Sequence, residues 1–351
     1  MPPAPAFDPN SASTPESGVF GLPYIEKDAA LVCVPVPWEA TVSYGGGTAK
    51  APAAVLRASR QVDLFDGDVE KPYAAGLFWR REDPKIRAIN ARARAAARKI
   101  IAAGGAEGKK SLQKPAALVN ALGAELNARV KKSVADILDA GKIPAVLGGD
   151  HAVPYGAFAA AAQKHGNFGL LHFDAHHDMR KDYEGFRWSH ASIMRNALDG
   201  IPAISRIVQV GIRDFCEEEA DYAEMLGPRA AVFYEEAVRR RMFAGEPWDE
   251  IARDIVSHLP QKVWITFDVD GLDPSLCPHT GTPVPGGLSF FEANRILREV
   301  AVSGREILGF DLVEISPPPR GQGDWDANVG ARLLYKLTAW TLASRGLAKV
   351  R

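Results

Sequence analysis

Histidine and aspartate residues are concentrated in three short motifs of this sequence. The motifs are GGDH at 148–151, DAHHD at 174–178 and DVDG at 268–271. All eight histidines lie between His151 and His279. Imidazoles and carboxylates at this density can bind divalent metal ions or transfer protons. The three motifs are therefore the candidates for a chemical site.

Each motif directly follows a short run of apolar residues, and a fourth such run contains Glu314 near its end. These four runs lie at 143–148, 168–173, 262–267 and 306–315, and two more lie at 30–36 and 206–212. Runs of this length without alternation are typical of parallel strands buried on both faces. Helical stretches separate them, which predicts an α/β fold with a mostly parallel sheet between helical layers. Because such sheets bind ligands at the carboxyl ends of their strands, the motifs should meet in one crevice.

Side-chain alternation selects six candidate metal ligands within these motifs. In an extended segment, residues two positions apart point the same way. Four carboxylates and two imidazoles are selected: His151, Asp174, His176, Asp178, Asp268 and Asp270. Carboxylates at this density repel one another unless cations neutralise them. Two octahedral ions would have enough ligands if Asp174 and Asp268 each contacted both ions. The two ions would then activate a water molecule between them. The ligand types suit Mn²⁺, with Ni²⁺ and Co²⁺ as alternatives.

The composition excludes several other classes of protein. The chain has 351 residues, 46% of them hydrophobic, and a formal net charge of −1. This balance is that of a globular protein and argues against a nucleic-acid partner. Three widely spaced cysteines exclude a disulfide scaffold and predict a reducing, cytoplasmic location. No apolar run reaches about 18 residues, so neither a membrane span nor membrane binding is expected.

The chain is expected to fold as one domain preceded by an arm. Residues 1–28 are rich in proline, serine and alanine and are predicted to form a flexible N-terminal arm. Residues 29–351 show no internal repeat and no change of composition, which predicts a single catalytic domain. Helical periodicity within it predicts helices at 83–103 and 116–140.

The motifs resemble the signatures of the ureohydrolase family, which includes arginases, agmatinases, guanidinobutyrases and guanidine hydrolases. GGDH, DAHHD and the segment TFDVDGLDPSLCPHTGTPVPGGLS at 266–289 carry the resemblance. It extends from about residue 30 to the C-terminus. It implies the three-layer α/β/α arginase/deacetylase fold, with a parallel sheet of about eight strands. It also implies an enzyme in which a hydroxide held by two metal ions attacks a guanidinium carbon, releasing urea and an amine.

The resemblance also implies roles for single residues. One ion would be held by His151, Asp174, Asp178 and Asp268, and the other by Asp174, His176, Asp268 and Asp270. His190 matches the family's proton shuttle, and Glu314 matches the glutamate that pairs with the guanidinium group. Thr280 and Thr282 would line the floor of the site. Mn²⁺ is the family's usual metal.

The segment between Asp178 and His190 is expected to select the substrate. It reads MRKDYEGFRWSH and lacks the asparagine and serine pattern with which arginases hold arginine. Arg180 would oppose the ammonium group of agmatine unless nearby acidic residues offset it. Trp188, with Tyr183 and Phe186, could wall off a small pocket. The phrase YEGF-x-x-SHASIM resembles the guanidine-hydrolase branch, which is associated with nickel.

These features rank three substrate classes. A small or alkylated guanidine, including a biguanide, comes first and agmatine second. A guanidino acid that pairs with Arg180 comes third. Family members assemble as trimers or hexamers, so a homo-oligomer is expected. The non-enzyme alternative is a subunit that needs a different partner chain. A separate alternative is a metal-dependent deacetylase-like protein with the same fold.

The remaining histidines and two aspartates are given structural roles. His177 should point away from the metals by alternation, and His172 should be a core histidine. His165 and His258 are expected at the surface, and His279 at the rim of the site. Asp150 and Asp273 are expected to brace the metal-binding loops by hydrogen bonds.

Overall fold

The computed structural model describes residues 7–319 and 322–351, and its centre is a parallel sheet of eight strands. Their order is β3-β1-β4-β9-β8-β5-β6-β7, and every pairing is parallel. The strands are β1 Leu31–Pro35, β3 Leu77–Trp79, β4 Ile143–Leu147, β5 Phe168–Phe173, β6 Ile204–Ile212, β7 Ala230–Tyr234, β8 Lys262–Asp268 and β9 Glu306–Val313. Two further strands, β2 Val69–Glu70 and β10 Lys349–Val350, pair antiparallel beside it.

Ten α-helices are present in the described parts of the chain. They are α1 Ala51–Ser59, α2 Pro84–Ile101, α3 Lys110–Asp139, α4 Tyr155–His165, α5 Ile193–Gly200, α6 Glu217–Met225, α7 Glu235–Phe243, α8 Trp248–Ser257, α9 Phe290–Val302 and α10 Trp325–Ser344. Among the residues described, no helix combines the length and apolar character needed to cross a membrane.

The helices cover both faces of the sheet, which confirms the predicted three-layer α/β/α class. Alternate residues of a strand enter different cores, as in β8, where Ile265 joins one cluster and Trp264 the other. Helices α1, α8, α9 and α10 contribute to the first cluster, and α2 to α6 contribute to the second. Burial on both faces explains why the strands read as continuous apolar runs.

The four strands that precede the chemical motifs are neighbours at the centre of the sheet. Their order is β4-β9-β8-β5. All are parallel, so their carboxyl ends lie along the same edge. The sequence order of these strands is scattered, and only the topology shows that they are adjacent. This adjacency brings the three motifs and Glu314 together.

The secondary structure differs from the prediction at three places. Strands β3 and β7, at the two edges of the sheet, were not predicted; β3 has only three residues. Helix α3 begins at Lys110, six residues before its predicted start, with Pro115 inside it. Short edge strands carry too few residues for a periodic signal. Pro115 is the sixth residue of α3 and cannot donate to the carbonyl of Ser111, yet the helix continues through it.

Part of the predicted N-terminal arm packs against the domain. Val19, Phe20 and Leu22 are buried in the first core cluster. The ring of Phe20 lies edge-on to Tyr335 of α10, with 4.9 Å between ring centroids. The apolar VFGL sequence supplies the buried surface that the prolines and serines around it lack. The expectation of mobility up to residue 28 therefore differs from the structure at residues 19–22.

Candidate active site

A buried histidine facing three carboxylates forms the first candidate metal position. The Nδ1 atom of His151 lies 2.9 Å from Asp174 Oδ2, 3.1 Å from Asp178 Oδ2 and 3.2 Å from Asp268 Oδ2. All four residues are buried. Each comes from the carboxyl end of β4, β5 or β8, as the motif order predicted.

A second candidate metal position lies on the other side of Asp174. The Nδ1 atom of His176 is 3.4 Å from Asp174 Oδ1 and 3.1 Å from Asp270 Oδ2. Asp270 is held in place because its Oδ1 accepts the backbone N–H of Ala175 at 2.9 Å. Asp174 therefore presents one oxygen to each position. The structure brings all six predicted ligands into one cluster.

The geometry of His151 tests whether this cluster suits a cation. Its Nε2 lies 2.9 Å from Thr266 Oγ1, and that hydroxyl donates to Asp311 Oδ1 at 2.8 Å. The Thr266 oxygen therefore accepts from Nε2–H, which leaves a lone pair on Nδ1. Nδ1 is buried without a hydrogen-bond partner, although three carboxylate oxygens surround it. In the neutral imidazole, Nδ1 and the three carboxylate oxygens are all acceptors, and a divalent cation between them would offset their repulsion.

The spacing of these atoms also fits metal ligation. Neighbouring ligand atoms of an octahedral ion with bonds of about 2.1 Å are about 3 Å apart. The distances from His151 Nδ1 to the three carboxylates are 2.9 to 3.2 Å. The donor set of oxygen atoms with some imidazole nitrogen suits a divalent ion of the Mn²⁺ or Ni²⁺ type.

Burial and neighbouring charges strongly shift the pKa values of the carboxylates. Burial and the charge of Asp174 raise the pKa of Asp178 to about 7. Burial and the charges of Asp270 and Asp174 raise the pKa of Asp268 well above its usual value. Burial opposes ionisation of Asp174 too, but the facing His172 and His151 hold its pKa well below the usual range. Crowding of the carboxylates therefore opposes full ionisation of the cluster, and a bound cation would relieve it.

Two acidic residues of the site have an unusual backbone conformation. Asp178 has φ of 54° and Glu314 has φ of 61°, in the left-handed region that few side chains adopt. Such strain is concentrated at functional sites, where the surrounding structure imposes it. Glu314 is fixed by three hydrogen bonds: its N–H donates to Gly149 O, its carbonyl accepts from Thr280 Oγ1, and its Oε1 accepts from His151 N–H.

Gly149 of the GGDH motif is required by close packing. A Cβ atom there would lie 1.7 Å from the carbonyl oxygen of Trp38. Asp150 N–H donates to the same oxygen at 2.8 Å. Its carboxylate accepts the backbone N–H groups of Thr41 and Ala152, so Asp150 braces this loop.

His190 lies beside the metal positions at the start of a helical turn that precedes α5. Ser189 caps the turn by accepting from Ala191 N–H. The Nδ1 atom of His190 is 3.4 Å from Thr41 Oγ1. Burial, followed by the charges of His176 and His151, lowers the pKa of His190 to about 4. The imidazole is therefore neutral near pH 7.

We expect the pH dependence of stability to report this lowered pKa. An unfolded histidine has its usual pKa of 6.5, so between pH 6.5 and 4 the folded chain binds fewer protons than the unfolded chain. The stability associated with neutral His190 is present above pH 6.5 and is lost as the pH falls towards 4. The free energy of unfolding of the chelator-treated protein should therefore fall more steeply for wild type than for His190→Gln. Parallel curves for the two proteins would contradict the lowered pKa.

A cavity of about 240 Å³ opens over the second metal position. Its lining includes His176, Asp178, His190, Thr282, Arg180, Tyr183, Asp214 and Phe215. Thr282 Oγ1 is 3.3 Å from Asp270 Oδ2, and Thr280 is buried against the Glu314 carbonyl. The cavity therefore joins the candidate ligands to the segment predicted to select the substrate.

Arg180 lines the cavity, and its charge is partly balanced. Its Nε is 3.7 Å from Glu219 Oε2, and its guanidinium carbon lies 5.0 Å from the centroid of the Tyr183 ring. The buried Glu219 also accepts the N–H groups of Met179 and Cys216. The acidic residues nearest to Arg180 in the sequence, Asp182 and Glu184, do not line this cavity.

Trp188 does not line the cavity, which corrects its predicted place in the substrate pocket. It packs against Gly123 of α3, where a Cβ atom would lie 2.9 Å from it. Its ring centroid is 4.8 Å from that of Tyr155 on α4. Phe186 is also absent from the lining, because it is buried between α2 and α3. Tyr183 is the member of the predicted aromatic wall that faces the cavity, and Phe215 joins it.

Tyr183 is placed by a tight turn that Phe186 anchors. Tyr183 and Phe186 exchange backbone hydrogen bonds of 3.2 and 2.8 Å, and Glu184 and Gly185 between them have positive φ. Both central residues are then left-handed, as in a type I′ turn. Asn120 of α3 holds the turn by donating to Gly185 O and accepting from Arg187 N–H.

We expect Phe186→Ala to loosen this substrate segment. Phe186 is fully buried, and removing a buried phenylalanine side chain costs about 3–5 kcal/mol. Denaturant unfolding should show this loss, and the KM for substrate should rise because Tyr183 is no longer fixed. Phe291→Ala is the matched control, since Phe291 is 80% exposed. An unchanged KM in a destabilised Phe186→Ala protein would contradict the anchoring role.

The other predicted residues lie as follows. His177 points away from the ligands towards Gln209, at 2.7 Å. His279 does not line the cavity and pairs with Asp326 at 2.9 Å. Asp273 accepts from Ser275 N–H within its own loop. His258 is half-buried, near Asp254 and the Phe233 ring. His172 is buried but lies 2.8 Å from Asp174, so it is more than a core residue.

The sequence analysis did not predict the contacts that four buried polar residues make behind the ligands. They are His172, Gln209, Thr266 and Asp311. Each stands inside an otherwise apolar strand, on β5, β6, β8 or β9. A polar side chain within a strand buried on both faces needs a partner, and that signal could have identified them. Asp214 and Phe215 of the cavity lie after β6 and carried no motif signal.

The fold and the site define a metal-dependent hydrolase of the arginase class. The sequence matches the Arginase family over residues 29–339, and the chain belongs to this family. It is a hydrolase acting on C–N bonds in linear amidines. Family members use a binuclear divalent metal centre, and the buried histidine and aspartate cluster fits one.

Similar proteins include enzymes that act on several guanidino compounds. The chain is 32% identical over 321 residues to an N(1)-aminopropylagmatine ureohydrolase of Thermus thermophilus, covering 90% of this chain and 92% of that protein. It is 36% identical over 209 residues to a guanidinobutyrase of Pseudomonas aeruginosa, covering 57% and 61%.

Solved structures share the fold at lower sequence identity. The agmatine ureohydrolase of Thermoplasma volcanium superposes with a TM-score of 0.70 at 22% identity, covering 94% of this chain and 96% of that one. The proclavaminate amidino hydrolase of Streptomyces clavuligerus gives 0.72 at 21% identity, covering 95% and 99%. The predicted family and fold are confirmed.

Proposed function

We propose that this chain hydrolyses a guanidinium C–N bond of a small or alkylated guanidine, including a biguanide, and releases urea with an amine or ammonia. The observation that carries the proposal is the cavity of about 240 Å³ that opens on the ligand cluster and is walled by Tyr183 and Phe215. A compact guanidine with apolar substituents suits a short cavity with aromatic walls.

The metal centre in this proposal consists of the six predicted ligands. His151, Asp174, Asp178 and Asp268 would hold one divalent ion, and Asp174, His176, Asp268 and Asp270 the other. When bound, the two ions lower the pKa of a water molecule and supply hydroxide near neutral pH. Both Mn²⁺ and Ni²⁺ suit the ligand set, and Ni²⁺ is the one that the guanidine-hydrolase-like segment favours.

His190 and Glu314 would act on the substrate. An amine leaves readily only when it is protonated, and a neutral imidazole beside the cavity can carry that proton. His190 lines the cavity, where its neutral imidazole could take a proton from the attacking water and pass it to the leaving amine. Glu314 is buried beside the ligands, where a carboxylate can orient a planar guanidinium group by paired hydrogen bonds.

The charges around the cavity support a substrate without a charged tail. An ammonium group at the far end of the substrate would be repelled by Arg180. The nearby Glu219 already accepts two backbone N–H groups, so it offers little to offset this repulsion. A distal carboxylate would meet Arg180, but also Glu219 at 3.7 Å from it. Arg180 therefore opposes an ammonium tail, and Glu219 opposes a carboxylate tail. We therefore keep guanidino acids as the third candidate.

Agmatine is the second candidate, and Asp214 favours it. This carboxylate lines the cavity with 69% of its side chain exposed, so it is free to meet a distal ammonium group. The names of the similar proteins, which include aminopropylagmatine ureohydrolases and agmatinases, support the same candidate. In that case Asp214→Asn should raise the KM for agmatine and leave the KM for methylguanidine unchanged.

Urea release from a panel of guanidines tests the proposal. The purified chain is loaded with Mn²⁺ or Ni²⁺, and kcat/KM is measured for guanidine, methylguanidine, dimethylbiguanide, agmatine and 4-guanidinobutyrate. We expect the highest value for one of the first three. A preference for agmatine would support the second candidate. If no compound releases urea from metal-loaded protein, the chain is not an autonomous enzyme and the hetero-oligomer alternative gains support.

The assembly is a separate expectation. We propose a homo-oligomer, a trimer or hexamer as in the family, that acts on a small guanidino substrate. Sedimentation of the purified chain tests it, and activity that appears only with a second, different chain would favour the hetero-oligomer.

A further inference from the structure

A chain of buried polar side chains runs behind the first metal position. It starts at Asp174 and continues through His172 of β5 and Gln209 of β6 to His177. His172 Nε2 is 2.8 Å from Asp174 Oδ2, Gln209 Nε2 is 2.8 Å from His172 Nδ1, and His177 Nδ1 is 2.7 Å from Gln209 Oε1. All four residues are at most 1% exposed. The proposed reaction uses only Asp174 among them.

A backbone carbonyl fixes the orientation of Gln209. Its Nε2 donates to the carbonyl oxygen of His177 at 3.0 Å. A carbonyl oxygen can only accept, so the amide nitrogen must face it. The reversed amide would bring two acceptor oxygens together in a buried place. Gln209 Oε1 is therefore the atom that faces His177 Nδ1.

The orientation of Gln209 determines the tautomers of both histidines. Gln209 Oε1 accepts, so His177 carries its proton on Nδ1. Gln209 Nε2 donates, so His172 Nδ1 accepts and its proton is on Nε2. The Nε2 atom of His177 lies buried without a partner, as expected for the unprotonated nitrogen.

This tautomer makes His172 a donor and excludes it as a metal ligand. Its Nε2 lies close enough to His151, Asp174 and Asp178 to belong to a metal-binding group. Because Nε2 carries a proton, it has no lone pair for an ion. It donates instead to Asp174 Oδ2.

Both oxygens of Asp174 are consequently held in place. Oδ1 accepts the backbone N–H of His176 at 2.6 Å, and Oδ2 accepts from His172 at 2.8 Å. Oδ1 also faces the His176 ring at 3.4 Å, and Oδ2 faces His151 at 2.9 Å. The carboxylate cannot rotate without losing a hydrogen bond. It therefore presents one oxygen to each metal position.

We propose that His172, Gln209 and His177 form a positioning relay that holds Asp174 as the ligand shared by two divalent ions. The inference rests on the metal centre of the proposed function and deepens it. The relay touches neither substrate nor ion and acts through Asp174. Partners of metal ligands typically change metal affinity by about 10- to 100-fold when they are lost.

Metal titration of relay variants tests this inference. The full chain is freed of metal with a chelator and titrated calorimetrically with Mn²⁺ and with Ni²⁺, and circular dichroism checks folding. Gln209→Leu and His172→Phe should each weaken binding by about 10- to 100-fold. His172→Gln, which keeps an N–H donor near Asp174, should recover part of the affinity. At saturating metal the KM for substrate should stay near that of wild type, because the relay does not contact substrate.

Two further variants control for folding and for the loss of a histidine that pairs with an aspartate. Gln209→Met is close in size to glutamine but cannot donate to His172 Nδ1, so it should weaken metal binding even if Gln209→Leu fails to fold. His279→Phe removes a histidine from a comparable contact, 2.9 Å from Asp326, which is not a candidate ligand. Its metal affinity should equal that of wild type.

The outcomes separate the relay from the metal centre itself. Wild-type affinity in folded Gln209 variants would overturn the relay. If Gln209→Leu binds metal more tightly and His172→Phe loses an ion, His172 is itself a metal ligand. This result would also overturn the relay. Wild-type protein that binds fewer than two ions would instead contradict the proposed metal centre.

Discussion

Asp268→Ala is expected to abolish metal binding and urea release together. Asp268 Oδ2 lies 3.2 Å from His151 Nδ1, and its Oδ1 accepts the N–H of Asp270 at 2.8 Å. The substitution therefore removes a charge between the two metal positions and also the hydrogen bond that orders the next ligand. Metal content after dialysis, measured by mass spectrometry, should fall from two ions to less than one per chain. Urea release should fall to background.

Two variants distinguish loss of the ligand from damage to the loop. Asp268→Asn keeps an oxygen for the Asp270 N–H but loses the charge, so it should also lose metal. Asp273→Asn changes an aspartate of the same loop that bonds only Ser275 N–H within the described structure, and it should keep both metal and activity. Two ions in Asp268→Ala would refute the assignment of Asp268 as a shared ligand.

His190→Ala is expected to separate metal binding from turnover. His190 lines the cavity but does not belong to the histidine and carboxylate cluster around either metal position. Its loss should leave two ions per chain. Removing a general acid or base typically lowers the rate by about 10²- to 10⁴-fold, so kcat should fall by that factor. Urea release at saturating substrate, with metal content measured on the same sample, is the test.

A matched histidine variant completes this experiment. His258→Ala removes a half-buried histidine at the end of α8 that contacts Asp254 and the Phe233 ring but does not line the cavity, so its kcat should equal that of wild type. An exogenous imidazole that restores part of the His190→Ala rate would support proton transfer. Loss of one ion in His190→Ala would show instead that this residue supports the metal centre, and would contradict its role as a shuttle.

The sequence by itself determined the fold class, the family and the candidate ligands. Each of the three motifs directly follows an apolar run, and alternation within DAHHD and DVDG selects the side chains that share a direction. These signals are local, because a strand and the residues after it are contiguous in the chain. For the same reason the sequence correctly indicated that His177 points away from Asp174, His176 and Asp178.

Only the tertiary structure decided how distant residues meet. Trp188 and Tyr183 lie in one short segment, yet Trp188 packs against Gly123 and Tyr183 faces the cavity. The type I′ turn and the buried Phe186 cause this separation, and neither has a periodic signal in the sequence. The edge strands β3 and β7 were likewise too short or too weakly patterned to predict.

The buried polar residues behind the ligands are the clearest case in which the sequence could not show which residues meet. His172, Gln209 and Asp311 stand on β5, β6 and β9, and their roles depend on which strands are neighbours. Register places His172 beside Gln209 on one side and Thr266 on the other. Strand order and register arise from packing over the whole domain. The sequence therefore identified the ligands, and the folded sheet alone determined what orients them.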